Sequence, residues 1–358
     1  MQGKIFIIAE AGVNHNGSVD MAKKLVEVAA KAGADAVKFQ TFKAEKIASI
    51  EARKAEYQEK TTDAAESHLD MLKRLELDKA AHRELFDYCV KKGIEFISTP
   101  FDLESVDLLV ELGVTRLKIP SGEITNGPLL LKVASTGLPL IVSTGMAFFR
   151  EIEAALGVLA FGMLGAEGEP SVSAFEEAYA SEQGQTLLSE RVVLLHCTTA
   201  YPAPLEDVNL RAMDALKIAF GVPVGYSDHT MGISVAVAAA ARGAAVIEKH
   251  FTLDKNLPGP DHKASIEPHE LVAMIRAVRE VETALGSGRK VPVLSELKNR
   301  AVARKSLVAA RPIKNGERFT EENLAVKRPG TGVSPMLYWA YLGRTANRDF
   351  SEDQVIES

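Results

Sequence analysis

Only two cysteines, Cys89 and Cys197, occur in 358 residues. That is too few for a disulfide framework and fits a reducing compartment. One tryptophan and 6% aromatic residues give no sign of stacked nucleobases. Positive charge is not in excess: 42 Lys and Arg stand against 48 Asp and Glu, a formal charge of −6. This argues against a general nucleic-acid-binding surface and leaves room for a local basic pocket. No stretch approaches the roughly 20 unbroken apolar residues that span a bilayer, and MQGKIFIIAEAG at the N-terminus has no signal-peptide anatomy. GVNHNGS looks like a Gly-rich phosphate loop but lacks both GxGxxG and GKS/GKT, so it is a weak cofactor signal.

What is present is an ordinary globular mixture, 46% apolar and 25% charged. The length suits one large domain plus a small one, or two equal ones, with enough chain to bury a core unaided. Short β-branched runs alternate with amphipathic ones. Eight runs read as strands: KIFIIAEAG, ADAVKFQTF, IEFISTPF, TRLKIPSG, LPLIVSTG, RVVLLHCTT, VPVGYSDHT and AAVIEKHFT. Helical patterns such as SVDMAKKLVEVAAKAG and AAHRELFDYCVKKG lie between them and stop at glycine. Strand–helix alternation implies parallel strands with crossover helices. Eight repeats predict a (β/α)8 TIM barrel, with an open doubly wound sheet as the rival.

Each strand begins apolar and ends polar: Glu10, Lys38 and Gln40, Ser98 and Thr99, Lys118, Ser143 and Thr144, His196 and Thr198, Ser227 and His229, Glu248 and His250. Side chains alternate across a strand. Glu10, Lys38/Gln40, His196/Thr198, Ser227/His229 and Glu248/His250 keep a period of two and are expected to face one barrel mouth, where barrel enzymes place their chemistry. Residues 43–78 are expected to arch over that mouth. Residues 147–190, with a Gly-rich break and an acidic stretch, read as a mobile, peripheral insertion.

His229 and His250 end neighbouring strands, about 4.8 Å apart. They read either as ligands of a divalent metal or as a hydrogen-bonded structural pair. Lys38 and Lys118 sit in apolar runs and need anionic partners. With Ser121, Ser143 and Ser227 they describe a phosphate or carboxylate site. Salt bridges to Glu10, Glu123 or Glu248, and a Schiff-base lysine, are the competing readings. Glu10 is an acid/base candidate. Asp261 lies in the tight loop PGPDHKAS, as a sugar-hydroxyl acceptor or a turn residue.

IAEAGVNHNGS, AVKFQTF, FISTPFD, LKIPSGE, VSTGM, HCTTAYPAP, GYSDHT and EKHFTLDKNLPGPDHKAS resemble the motifs of the sialic acid synthase family, and GERFTEENLAVKRPG with GTGVSP resembles its C-terminal antifreeze-like (SAF) domain. The match runs in order over nearly the whole chain, apart from residues 147–190. The resemblance implies condensation of phosphoenolpyruvate with an open-chain N-acetylhexosamine to give a nine-carbon 2-keto acid and phosphate. It implies His229 and His250 as ligands of Mn²⁺, with Mg²⁺ or Co²⁺ as alternatives, and Glu10 and Glu123 as catalytic groups. Lys38, Lys118, Ser121, Ser143 and Ser227 would hold phosphoenolpyruvate. Gln40, Tyr201, Asp261 and Arg328 would address the sugar. Arg328 would do so across a homodimer whose small domain is swapped onto the partner's barrel. Thr199 departs from members that carry Asn there.

These readings predict a catalytic barrel over residues 1–286, a linker over 287–300 and a SAF domain over 301–358, in a cytoplasmic enzyme that binds neither nucleic acid nor membrane. EKHFTLDKNLPGPDHKAS leans to a neuraminate or legionaminate product over pseudaminate. A pseudaminate synthase, a synthase using a sugar phosphate, and a carbohydrate-binding protein without activity remain the alternatives.

Overall fold

The computed structural model describes residues 4–49, 51–63, 65–165 and 168–357. It forms two compact units, Met1–Gly286 and Ser287–Ser358. In the first, eight parallel strands, β1 (Phe6–Gly12), β2 (Ala36–Thr41), β3 (Glu95–Pro100), β4 (Leu117–Ile119), β5 (Leu140–Ser143), β6 (Val192–His196), β7 (Val224–Asp228) and β8 (Val246–His250), pair in the order β3-β2-β1-β8-β7-β6-β5-β4. β3 and β4 adjoin at the seam. This is the (β/α)8 barrel.

Local sequence explains the elements. The helix Val19–Ala32 opens on Ser18, whose side chain accepts from Met21 N, and closes on Gly33 at φ 85°, where a Cβ would be strained. The strand period of two then sorts the side chains. Ile8, Ala36, Ile97, Ile141, Leu195 and Val246 meet inside the barrel, while Ile7, Val37, Phe39, Leu117 and Tyr226 pack outward with the helices. The barrel is thus plugged by apolar residues below, and the inward positions nearer the strand ends carry the polar groups.

Residues 147–190 differ from expectation. The helix Phe149–Leu164 buries Ile152, Ala155, Leu156 and Leu159 in the main core and is the β5–β6 crossover itself. The acidic stretch forms two further helices, Val172–Ala180 and Glu182–Arg191. Ser181 caps the second of them, accepting from Gly184 N while donating to Ala178 O. The Gly-rich break includes Ala166 and Glu167, which lie outside the described residues.

In the second unit β9 (Ser306–Ala309) and β10 (Leu324–Lys327) pair antiparallel over a small core of Leu307, Ile313, Phe319, Val333, Phe350 and Ile356. The segment expected as a linker contains a helix, Leu294–Ala303, with no buried residue.

Candidate active site

The C-terminal ends of the strands open into a cleft of about 210 Å³. Of the residues singled out in the sequence, Glu10, Lys38, Gln40, Lys118, Ser121, Ser143, Tyr201, Ser227, His229, His250 and Asp261 line it together. Two do not. Glu123 is half-buried in the turn after β4, where it accepts from Asn126 Nδ2 at 2.6 Å. Arg328 belongs to the second unit, exposed, its Nε donating to Ala303 O.

His196 and Thr198 do not face the mouth. On β6 the inward parity is Leu195, continuing to Thr199 in the cleft wall. His196 instead packs on Tyr226 and bonds Val208 O, and Thr198 donates to Asp207 O. Their period of two holds, but the register of β6 turns it to the helix-facing side. GVNHNGS is no phosphate cradle either. Asn14 donates to Phe251 O and Ser265 Oγ, fastening the turn after β1 to the loop after β8.

Four buried ionisable side chains form the floor. Lys38 Nζ lies 2.8 Å from Glu10 Oε2 and 3.7 Å from Glu248 Oε2. Lys118 Nζ lies 3.4 Å from Glu248 Oε1 and donates to Ser143 Oγ at 2.7 Å. Ser227 Oγ donates to Glu248 Oε1 at 2.8 Å. The lysines therefore do have carboxylate partners here, and Glu248, weighed in the sequence only as a counter-ion, is the hub. Burial works against both carboxylates, with opposite outcomes. For Glu10 it outweighs Lys38 and pushes the carboxyl up to about 8. For Glu248 the two lysines prevail and hold it at about 2. Burial pulls the Lys118 ammonium down, so its charge is best sustained with an anion beside it; with Glu248 ionised, Glu10 protonated and both lysines charged, the floor would carry one net positive charge for such a ligand.

Above this floor, Ser121 Oγ accepts from Gly145 N at 3.0 Å and lies 3.2 Å from Cys197 Sγ. A Cβ on Gly145 would come within 2.3 Å of Thr199 Oγ1 and 2.7 Å of Ser121 Oγ. Only glycine lets this loop close on the serine.

The imidazoles of His229 and His250 stand 5.6 Å apart, centroid to centroid. Burial lowers the basicity of both, favouring the neutral form. His229 Nδ1 bonds Thr198 O at 2.7 Å, which fixes its tautomer and turns Nε2 to the cleft, as in metal-bound imidazoles whose other ring N–H is held by a carbonyl. His250 Nδ1 is buried without a hydrogen-bond partner, 3.9 Å from Asp261 Oδ2. Two neutral nitrogens, one of them orphaned, with carboxylates alongside, fit a divalent cation with open positions for oxygen ligands. Glu267, His269 and Glu270 also bring ligand atoms together, at the start of the helix Pro268–Leu285. There His269 is exposed, and Glu270 is engaged by Lys255 and by the backbone N of Glu267, so those side chains serve as a cap.

The far wall comes from the arch over residues 43–78. It brings Tyr57, Gln58, Met71, Leu72 and Leu75 to the cleft, and Thr61 Oγ1 donates to Pro260 O of the loop that carries Asp261. Tyr57 packs on Tyr201 at 5.1 Å, and Tyr201 on His229 at 4.2 Å. Burial pushes Asp261 up to about 6. Tyr57 and Gln58 carried no sequence signal, because their role depends on how a long connection folds back.

Comparison with known proteins follows the same lines. The model of the NeuB family matches residues 25–290 and that of the SAF domain residues 304–357. The chain is similar to an N,N'-diacetyllegionaminic acid synthase of Campylobacter jejuni subsp. jejuni serotype O:2, 53% identical over 353 residues, 99% of each chain. A pseudaminic acid synthase of the same strain is 37% identical over 352 residues, 97% of this chain and 93% of that one. A solved structure of an N-acetylneuraminic acid (sialic acid) synthetase from Leptospira borgpetersenii, in complex with citrate, matches at TM-score 0.67 and 35% identity, covering 83% of this chain and 90% of the other.

Proposed function

The chain belongs to the NeuB family and carries a C-terminal SAF domain, and from that premise we propose that it is a transferase condensing phosphoenolpyruvate with an open-chain N-acetylhexosamine. C3 of phosphoenolpyruvate attacks the aldehyde carbon, whose oxygen takes up a proton. Water adds at C2, and the C2–O bond to phosphate breaks. The products are a nine-carbon 2-keto acid and inorganic phosphate.

The observation that carries this reading is the convergence, in one cleft, of two buried lysines and three serines with a pair of neutral imidazoles. Lys38, Lys118, Ser121, Ser143 and Ser227 hold the phosphate and carboxylate of phosphoenolpyruvate. His229 and His250 hold the metal, for which we propose Mn²⁺ over Mg²⁺ or Co²⁺. A divalent cation bound there supplies Lewis-acid polarisation of the acceptor aldehyde. Glu10, protonated near neutrality, donates or receives the proton moved during carbon–carbon bond formation. Glu123 lies too far to the side to line the cleft, and we assign it to orienting the turn that carries Ser121. Gln40, Tyr201 and Asp261 bind the acceptor, and the arch excludes bulk water.

For the acceptor we propose a 6-deoxy-diacetamido sugar, giving a legionaminate-type product. The higher identity to the legionaminic than to the pseudaminic acid synthase supports this. Among the described residues lining the cleft the only basic side chains besides the two histidines are Lys38 and Lys118, both tied to carboxylates, which disfavours a phosphorylated acceptor. We further propose a cytoplasmic homodimer in which Arg328 completes the partner's sugar site. Mixing His229→Ala with Arg328→Ala protein then restores up to about half the wild-type activity per mixed dimer. No recovery after confirmed subunit exchange removes the trans role. The main test is a panel of N-acetylhexosamines with phosphoenolpyruvate and Mn²⁺, read by phosphate release. Turnover greatest with the diacetamido acceptor supports the reading, and none with any acceptor rejects it.

A further inference from the structure

Behind the two imidazoles, on the helix-facing side of the barrel, Asp228 and Lys249 form an ion pair with no solvent exposure, Nζ to Oδ2 2.9 Å. They are direct partners in the β7–β8 register, and each immediately precedes a cleft histidine, His229 or His250. Elsewhere this side of the strands packs mainly apolar groups such as Ile7, Phe39, Ile119, Leu194, Tyr226 and Ile247, with Thr41, Ser98 and His196 hydrogen-bonded among them. The second oxygen of Asp228 accepts from Thr230 N at 2.9 Å and Thr230 Oγ1 at 2.8 Å. Lys249 Nζ also donates to Thr230 O. The network thus grips the backbone on both sides of His229 and ties it to the residue before His250.

A buried ion pair is no efficient source of stability, since an apolar pair of similar volume commonly does as well or better. Its placement calls for another reason. The bond from His229 Nδ1 to Thr198 O sets the rotation of that ring but not the separation of β7 from β8 at this level. The His250 ring has no hydrogen bond at Nδ1, so its location follows from its backbone.

We propose that Asp228 and Lys249 are positioning residues that hold His229 and His250 at the separation a shared divalent cation requires. This rests on reading the two histidines as that cation's ligands. The test uses full-length protein and Mn²⁺ alone, with free Mn²⁺ followed by electron paramagnetic resonance and folding by thermal melting. Asp228→Leu with Lys249→Met replaces the pair by apolar groups. It also strips Thr230 N and Oγ1 of their acceptor and Thr230 O of its donor, so a lower melting temperature is expected, while the Mn²⁺ dissociation constant of the folded protein rises about 10- to 100-fold, the range typical when a metal ligand loses the groups that orient it. Asp228→Asn with Lys249→Met keeps an acceptor for Thr230 N and Oγ1, loses the cross-strand link, and should weaken Mn²⁺ less. Unchanged Mn²⁺ affinity in the folded apolar variant overturns the proposal. If that variant does not fold, unchanged affinity in the second one overturns it equally. His229→Ala is the control. If it leaves Mn²⁺ binding intact, the ligand assignment itself is wrong, and the positioning role falls with it.

Discussion

Replacing Lys118 by Met removes one charge from the floor of the cleft while keeping most of the side-chain volume. Lys118 is 3% exposed, bonded to Ser143 Oγ and 3.4 Å from Glu248. A charge-assisted contact is worth about 1.5–3 kcal/mol, or roughly 10- to 150-fold in affinity. Because Glu248 already claims part of this charge, the loss for phosphoenolpyruvate belongs near the low end, about 10-fold in KM. Breaking a buried pair costs about 3–5 kcal/mol when it strands a charge. Glu248 keeps Ser227 at 2.8 Å and Lys38 at 3.7 Å, so the stability cost should also fall near the low end of that range, about 3 kcal/mol. The companion variant Glu248→Gln removes the competing anion and should move the phosphoenolpyruvate KM the other way. The assay is initial phosphate release against phosphoenolpyruvate at saturating acceptor, repeated with the substrates exchanged. If both variants leave the phosphoenolpyruvate KM unchanged, or move the acceptor KM instead, the anion is bound elsewhere.

Three further outcomes are expected. Chelation with EDTA should abolish turnover and Mn²⁺ restore it, while His229→Ala and His250→Ala lose metal and activity but keep the circular dichroism of the folded chain; full activity without metal would contradict the site. Gly145→Ala drives a methyl into Thr199, Ser121 and Cys197, and overpacking of that kind costs about 1–3 kcal/mol; a lower Tm and a raised phosphoenolpyruvate KM are expected, and a variant unchanged in both would show that the loop has room. His15, buried, titrates at about 4 instead of 6.5 when folded, so the unfolded chain binds more protons between those values. His15 therefore contributes stability above about pH 6.5, on the order of 3 kcal/mol at most, which is lost as pH falls through 4; His15→Gln should flatten the Tm profile between pH 6.5 and 4, and an unaltered profile would refute this.

The barrel was legible because eight apolar runs alternate with helical patterns, and the mouth because polar residues cluster at their ends. The side each residue takes was less legible. A run such as HCTT offers polar groups at both parities, and only the hydrogen-bond register puts Thr199 in the cleft and His196 against Tyr226. Glu248 was visible as a counter-ion, but its hub position depends on lysines from two distant strands reaching the same carboxylate. Tyr57 and Gln58 sit in a connection whose course is set by tertiary contacts, with Met71 and Leu75 burying its inner face beside Val13 and Phe42. In the β5–β6 connection the Gly-rich and acidic stretches mask the apolar stripe of Phe149–Leu164, which is the crossover helix.

The most direct measurement uses phosphoenolpyruvate carrying ¹⁸O in the bridge between C2 and phosphorus. The enzyme is incubated with Mn²⁺ and the diacetamido acceptor, and both products are weighed by mass spectrometry. Water addition at C2 followed by cleavage of the C2–O bond sends the label into the released phosphate, in one-to-one yield with a nine-carbon keto acid. Label retained in the keto acid, or phosphate released without a carbon–carbon bond being formed, would contradict the account.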